Sequence, residues 1–269
     1  MHVFMRELRM LSKKKKMLSI LYTKYIKPIF LILFFWYMIA YVLANTWLFP
    51  YPHTIFIRMI QFMFEKDFYF AIMFTLKRVF IASILSIIVA FIFAFLCYYN
   101  KKLQYMIRPF ILLFRSIPNI SYVLIILVFL GNEIGTTMIC FFITFPTIFT
   151  TIYHALTDIH KYMNFVIQMY PESLFYKIYR VYIPLIKSNL KSSSINAVSL
   201  SLKVGIMAEI IGSVNIGIGR EMYQCKLFFD MEGLFAWTVW VLLMLLCLEK
   251  IIEYIFRILT IMFIKKPKL

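Results

Sequence analysis

Charged residues are scarce in this sequence, and so are glycine and proline. Only 15% of its 269 residues are charged, whereas 63% are hydrophobic; soluble domains carry roughly 25% charged residues. This deficit excludes an ordinary water-soluble globule. The few glycines and prolines punctuate apolar blocks of about 20 residues that do not alternate with polar ones, which favours membrane helices over a barrel. We predict an all-α integral membrane protein.

Sites for chemistry are also missing. The four cysteines are widely spaced and form no C-x-x-C pair, which disfavours a metal or redox centre. His154 and Asp158 share a helical face but His160 does not, so we predict no metal site. No Ser/His/Asp set or G-x-S-x-G elbow is present. We expect a protein that is not an enzyme and holds no cofactor.

A phosphate-binding loop is absent as well. The nearest approach is GSVNIGIG at Gly212 to Gly219. It places Ile218 and Gly219 where a Walker A motif needs Lys and Ser or Thr to contact phosphate and metal. This chain therefore cannot hydrolyse ATP by itself.

What the sequence does contain is a series of apolar blocks. Six are recognisable, and each is long enough to cross a hydrocarbon core of about 30 Å: Pro28 to Phe49, Val79 to Tyr99, Pro109 to Leu130, Ile134 to Leu156, Ser193 to Val214, and Leu234 to about Ile264. We predict six transmembrane helices in a single domain, residues 1–269. The last helix should extend beyond the bilayer, with Glu253 and Arg257 paired at i, i+4.

The positive charges lie in clusters between these blocks. The net charge is +17, but the clusters form no continuous basic surface of the kind that binds nucleic acid. They occupy the N-terminus (1–27), residues 101–108, the loop at about 158–191 and the tail, whereas residues 131–135 have none. The positive-inside rule then places both termini and the 158–191 loop in the cytoplasm. Arg58, Lys66, Lys77 and Arg78 in the first external loop fit this rule poorly.

One loop interrupts the apolar sequence with YPESLFYKIYRVYIPLIKSNLK, residues 170–191. Its apolar side chains recur at helical spacing, and its basic ones share the other face, which predicts a short amphipathic helix. Pro171 suits the first turn, and Pro184 should end the helix by forcing Ile183 out of helical geometry. The helix either lies on anionic lipid or docks into a groove on a cytoplasmic partner.

The chain from Thr75 to about Glu253 resembles the membrane (permease) subunit of bacterial binding-protein-dependent ABC importers of the nitrate, sulfonate and taurine type. The resemblance rests on the order and spacing of several short matches: TLKRV at Thr75 to Val79, RSIPNISYVLI at Arg115 to Ile125, LG at Leu130 and Gly131, FP at Phe145 and Pro146, LFYKIYRVYIP ending at Pro184, AEIIG at Ala208 to Gly212, and GIG at Gly217 to Gly219. It implies a type I ABC importer permease fold in the bacterial cytoplasmic (inner) membrane.

The resemblance also implies partners. These are two copies of an ABC ATPase subunit, which carries ATP and Mg, an external solute-binding protein, and a second copy of this chain in a homodimer within the lipid bilayer. The solute would be a small anion, a sulfonate or a vitamin precursor. A membrane scaffold or a membrane-embedded enzyme without an ATP motor is the alternative, whereas a secondary transporter is disfavoured because inverted repeats are absent.

In the family, the amphipathic loop is the coupling helix that fits a cleft in the ATPase. The matching residues here are Pro171, Glu172, Leu174, Phe175, Lys177, Ile178, Arg180 and Pro184. The sequence departs from the family where E-A-A and a glycine are usual, because it has Phe165, Val166 and Ile167 followed by Pro171. Since proline excludes positive φ, either the docking is refitted to a particular ATPase or the coupling is altered.

The fifth block carries small residues along one helical face: Ser193, Ala197, Ser201, Gly205, Ala208 and Gly212. Such a face serves either packing within the chain or a dimer interface and pathway. Lys203 and Glu209 are costly in hydrocarbon and should face protein or water. Glu209 belongs to the AE pair of the resemblance and is an outer-gate candidate, a structural salt bridge or an interfacial residue.

Two glycines follow the fifth block. Gly217 and Gly219 permit a tight backbone reversal, either in a short re-entrant element that faces the external binding protein or in a plain surface turn. The candidate pathway and gate residues are therefore Ser201, Gly205, Ala208, Glu209, Gly212, Gly217 and Gly219.

Overall fold

The computed structural model describes residues 27–43, 45, 47–159, 163, 165–166, 169 and 171–264. These residues form helices and turns, and none of them is in a strand, which confirms the all-α prediction for this part of the chain. Most of the predicted basic N-terminus, residues 1–27, lies outside the described residues, as do His160, Ile167, Tyr170 and the basic tail. The described chain forms two compact units. One holds the residues up to Phe62 together with Cys225–Ala236, and the other holds Met63–Gln224 and the residues from Trp237 onward.

The helices follow the apolar blocks, with shifted boundaries. In chain order they are α1 (Lys27–Leu43), α2 (Pro52–Phe62), α3 (Lys66–Tyr99), α4 (Lys101–Ser116), α5 (Asn119–Thr157), α6 (Leu174–Lys177), α7 (Ile183–Leu185), α8 (Lys187–Gly212), α9 (Ile218–Leu227) and α10 (Met231–Ile264). Four of them, α3, α5, α8 and α10, are long and apolar enough to cross a membrane, and Phe30–Leu43 of α1 is a shorter apolar helix. The count of six spans stays a prediction.

The second and third apolar blocks begin and end elsewhere than predicted. Helix α3 starts at Lys66, so Lys77 and Arg78 lie within a helix and not in a loop. Pro109 lies inside α4, and the third block is instead interrupted at Ile117, whose backbone is extended (φ −72, ψ 132). The cause is Pro118, because a residue that precedes proline is pushed out of helical geometry.

The predicted third loop, Gly131 to Gly135, is reduced to a kink. Gly131 departs from helical geometry (φ 72, ψ 175), and the residues on both sides of it belong to α5. This combination of angles is accessible essentially only to glycine. A single residue therefore redirects the chain, and α5 consists of two arms.

In the larger unit, α3, α5 and α8 pack against one another. Tyr182 and Ile152 lie in one cluster of buried apolar residues, and Val123 and Ala208 lie in another. Hydroxyl groups join the helices between these clusters: Ser83 of α3 donates to Ser201 of α8 over 3.0 Å. Hydrogen bonds of this kind hold membrane helices together where the hydrophobic effect is weak.

The smaller unit is held by aromatic and ionic contacts. The Trp36 ring lies 5.9 Å from that of Phe49 and 5.7 Å from that of Phe235, and Trp36 Nε1 donates to the carbonyl of Pro50 over 3.2 Å. Arg58 and Asp230 form a salt bridge of 3.0 Å.

In the second half of α10, the predicted pairing of Glu253 with Arg257 is wrong. Glu253 pairs with Lys250 over 2.9 Å and with Lys191 of α8 over 3.6 Å. The Glu253 carboxylate lies within reach of two basic residues other than Arg257, one on its own helix and one on α8.

Candidate functional site

A buried carboxylate near the end of α8 organises the most polar part of the interior. The Glu209 side chain is fully buried. It accepts hydrogen bonds from Arg78 Nη1 at 2.8 Å, from Thr75 Oγ1 at 2.9 Å and from the Gly219 backbone N–H at 2.9 Å. A buried charge is tolerated only when it is paired and hydrogen-bonded in this way. The sequence leaves three roles open for Glu209, namely an outer gate, a structural salt bridge and an interfacial residue. The structure shows the salt bridge.

A second carboxylate extends this network toward the surface. Arg78 Nη2 also pairs with Glu133 of α5, whose side chain is 46% exposed. Glu133 accepts the backbone N–H of Asn215 at 3.1 Å, and Arg78 Nη1 donates to the carbonyl of Ile216 at 2.9 Å. One arginine thus ties α3 to α5, to α8 and to the turn that follows α8.

The turn can approach Glu209 because it contains glycines. Gly217 and Gly219 are buried, so a plain surface turn is wrong for them. A Cβ at Gly219 would lie 2.5 Å from Glu209 Cβ and 2.6 Å from the carbonyl oxygen of Ile206, and one at Gly217 would lie 2.7 Å from Glu209 Oε2. The close approach allows the N–H of Gly219 to reach the carboxylate.

Sequence reasoning identified one half of this network and missed the other. The sequence predicts Glu209, Gly217 and Gly219 as candidate site residues, but not Thr75, Arg78 or Glu133. The signal available was the TLKRV match, which contains Thr75 and Arg78.

The small-residue face of α8 lies inside the larger unit. Ser193, Ala197, Ser201, Gly205, Ala208 and Gly212 are all buried. A Cβ at Gly205 would lie 3.2 Å from Cys140 Sγ, and one at Gly212 would lie 2.9 Å from Leu127 Cδ2, so both positions face α5. The structure therefore favours packing within the chain for this face.

Another face of α8 carries exposed polar residues. Ser192, Asn196 and Lys203 are exposed and lie at spacings close to whole helical turns. We call these three residues the α8 polar stripe. Near them, Ser199 Oγ donates to Glu249 Oε1 of α10 over 3.1 Å. Polar side chains on the exposed face of a membrane helix are costly in hydrocarbon, so they should contact water or another protein surface.

The segment between α5 and α8 begins later than predicted. Helix α6 starts at Leu174, because Ser173 caps it by accepting the Tyr176 N–H at 3.3 Å. Pro171 and Glu172 precede the helix; the placement of Pro171 in its first turn is wrong. Serine is a preferred N-cap residue, which explains why the helix starts after it.

The same segment also ends later than predicted. Ile183 is helical (φ −58, ψ −47), and its N–H bonds to the carbonyl of Ile178 across a π-helix, Ile178–Tyr182. The widened turn accommodates Pro184, which would clash with an ordinary helical turn. The expectation that Pro184 ends the helix is therefore wrong.

The residues of this segment divide between a buried anchor and an exposed surface. Tyr182 is buried, with its ring 5.8 Å from that of Phe95, and burial raises the pKa of Tyr182 to about 12. Ile178 and Lys177 are partly buried, whereas Arg180 is exposed. The exposed apolar members are Leu174, Phe175, Tyr176 and Tyr179, of which Phe175 is 84% exposed. We call these four residues the exposed aromatic surface.

The structure offers no metal cage within its described residues, since no group of three or more His, Cys, Asp or Glu side chains converges there.

Comparison with known proteins identifies the family. Residues 82–260 match the family model of binding-protein-dependent transport system inner membrane components, a range that covers about two thirds of the chain. No curated protein matches the sequence. The matched range contains α5, the segment Leu174–Leu185, α8 and most of α10. Together with the four long apolar helices, the match shows that this chain belongs to the family of binding-protein-dependent transport system inner membrane components.

Proposed function

We propose that this chain is the permease subunit of an ATP-driven importer of the nitrate, sulfonate and taurine type. The family match supports the transport role, and the absence of a Walker A motif from the sequence supports a separate ATPase subunit that binds ATP and Mg. In this proposal the six spans are α1, α3, the end of α4 with the first arm of α5 (residues 109–130), the second arm of α5, α8 and α10. Both termini lie in the cytoplasm of a bacterial cell, and an external solute-binding protein delivers the solute.

The exposed aromatic surface is the proposed contact with the ATPase. The observation that carries this proposal is Phe175, which is 84% exposed at the tip of a segment whose other end is anchored by buried Tyr182. An exposed apolar side chain at the start of a helical segment can insert into a groove of a partner when the end of the segment is packed into the protein. Lys177 and Arg180 beside it supply charges that can pair with the rim of the groove.

The translocation pathway lies along the α8 polar stripe in a homodimer. Lys203 is nine residues before the end of α8, about 13 Å along the helix axis, and so lies well within the hydrocarbon core. In the described part of the chain Lys203 has no salt bridge. A lysine at this depth is stabilised by a water-filled cavity or a polar partner, which two copies of the chain can enclose between them.

Co-purification tests the ATPase contact. Tagged full-length chain, extracted from its native membranes, should retain an ABC ATPase identified by the Walker A peptide in mass spectrometry. Phe175→Glu should reduce the retained ATPase on the order of tenfold or more, because a truncated or charged anchor in a desolvated groove costs about 2 kcal/mol or more. Tyr105→Glu is the matched control, since Tyr105 is an aromatic residue that is 69% exposed on α4.

Two results would contradict the proposal. One is equal retention of the ATPase by the Phe175→Glu and Tyr105→Glu proteins. The other is the absence of any ATPase from the preparation with the unchanged chain, which would favour the alternative of a membrane scaffold or a membrane-embedded enzyme without an ATP motor.

A further inference from the structure

A basic groove lies between the first turns of α8 and the second half of α10. It has a volume of about 540 Å³ and is lined by Lys187, Ser188, Lys191, Lys250, Glu253, Tyr254, Phe256 and Arg257. Four basic side chains thus accompany a single carboxylate. The groove has no part in the solute pathway or in the ATPase contact proposed above.

The one carboxylate already has two basic partners. Glu253 bridges Lys250 of its own helix at 2.9 Å and Lys191 of α8 at 3.6 Å. Within the part of the chain that the structure describes, neither Lys187 nor Arg257 has an acidic group at salt-bridge distance. The groove therefore keeps an excess of positive charge that an anion can balance.

The start of α8 adds to this positive charge. Helix α8 begins at Lys187 and has no side-chain cap, so the dipole of this 26-residue helix favours an anion near its first turn. The hydroxyl groups of Ser188 and Tyr254 are further donors in the same lining. Phosphate oxygens are well matched to such a set of donors.

The position along the helices places the groove at a membrane surface. Lys191 lies 21 residues from the other end of α8 at Gly212, about 31 Å along the axis, and Glu253 lies 22 residues from the start of α10 at Met231, about 33 Å along it. These distances are close to the thickness of the hydrocarbon core, about 30 Å. With α8 and α10 crossing the bilayer as in the proposed function, on which this step rests, the groove is level with lipid headgroups.

Exposed apolar side chains flank the groove. Leu246, four residues before Lys250 on the same face of α10, is 49% exposed, and Leu185, two residues before Lys187, is 46% exposed. These residues can contact acyl chains while the basic residues contact the headgroup. This arrangement favours a lipid as the source of the anion over a soluble phosphate, because a soluble phosphate has no apolar part that could contact these side chains.

We propose that this groove binds the phosphate headgroup of an anionic phospholipid. The binding joins α8 to α10 in the same way as the Lys191–Glu253 pair does, and it would make the packing of these two helices depend on the lipid composition of the membrane.

The test is lipid retention by the purified full-length chain in native mass spectrometry. The probes are phosphatidylglycerol, phosphatidylcholine and inorganic phosphate. We expect phosphatidylglycerol to be retained in preference to phosphatidylcholine, and inorganic phosphate not to displace it at millimolar concentration. Lys187→Gln/Arg257→Gln should weaken phosphatidylglycerol binding about 30-fold, and this variant leaves the Glu253 pairs intact.

Lys101→Gln/Lys102→Gln is the matched control, because it removes two exposed basic residues at the start of α4 and should leave retention unchanged. If the double variant in the groove does not purify, Arg257→Gln alone should weaken binding about fivefold. Equal retention of both phospholipids, equal weakening in the α4 control, or binding of inorganic phosphate in place of the lipid would each overturn the proposal.

Discussion

At the residue scale, Glu209 is the side chain that depends most on its hydrogen-bond partners. A carboxylate that is fully buried costs several kcal/mol unless donors surround it. Arg78, Thr75 and the N–H of Gly219 supply those donors. The ion pair thus fixes how three helices and a turn pack together. Its loss should lower the free energy of unfolding of the whole unit.

Gly219→Ala tests this arrangement without removing a charge. The new methyl group would lie 2.5 Å from Glu209 Cβ and 2.6 Å from the backbone oxygen of Ile206, neither of which can move freely. We expect a loss of about 1–3 kcal/mol, seen as a lower midpoint of thermal unfolding in detergent. Asn215→Ala is the control, because only the backbone of this exposed residue joins the network. Identical midpoints for the Gly219→Ala and unchanged proteins would refute the role of close packing here.

The partners of Glu209 show which features of single residues the sequence predicts and which it does not. An intramembrane glutamate and two nearby glycines stand out individually, so they could be singled out. Arg78 directly precedes the apolar block that starts at Val79, and the sequence pattern therefore predicts a loop at this position. A charge that is paired across the fold does not end a helix, and the pairing involves residues 131 positions apart, which no local pattern reports.

At the element scale, the existence of the helices follows from the apolar blocks, but their ends depend on local chemistry. Ile117 leaves the helix before Pro118 as the rule for such residues requires. Ile183 stays helical before Pro184, because a π-helix absorbs the strain. The same dipeptide signal therefore has two outcomes, and the turn that precedes the proline distinguishes them.

Helix α8 carries its small residues inside and the α8 polar stripe outside. If the stripe lines a water-filled pathway, Lys203→Cys should react with a water-soluble thiol reagent in a background that lacks the four native cysteines. We expect labelling on the order of tenfold faster than at Leu242→Cys, since the reactive thiolate forms in water and not in lipid. Leu242 is 56% exposed on α10 and lies at a comparable depth, about 16 Å from the start of its helix. Equal, slow labelling at both positions would place the stripe in lipid and exclude it as the pathway.

At the scale of the whole molecule, ion pairing accounts for two of the four basic residues that fit the positive-inside rule poorly. Arg58 is paired with Asp230 at 3.0 Å, and Arg78 is paired with Glu209 and Glu133. A basic residue whose charge is neutralised by an ion pair contributes little to the orientation of the protein in the membrane. Lys187 and Arg257, which lack such partners among the described residues, lie on the side that the proposal assigns to the cytoplasm.

The orientation itself can be measured, and the ATPase contact depends on it. Helix α8 separates the exposed aromatic surface from the turn that contains Asn215, so a single crossing by α8 puts the two on opposite sides of the membrane. With a membrane-impermeant thiol reagent on intact cells, Asn215→Cys should be labelled and Phe175→Cys should not, unless the cells are first permeabilised. Both side chains are exposed, so a difference in labelling reports sidedness and not burial. Labelling of Phe175→Cys in intact cells would place the exposed aromatic surface outside the cell, where no ATPase can meet it, and the proposed coupling to ATP hydrolysis would have to be abandoned.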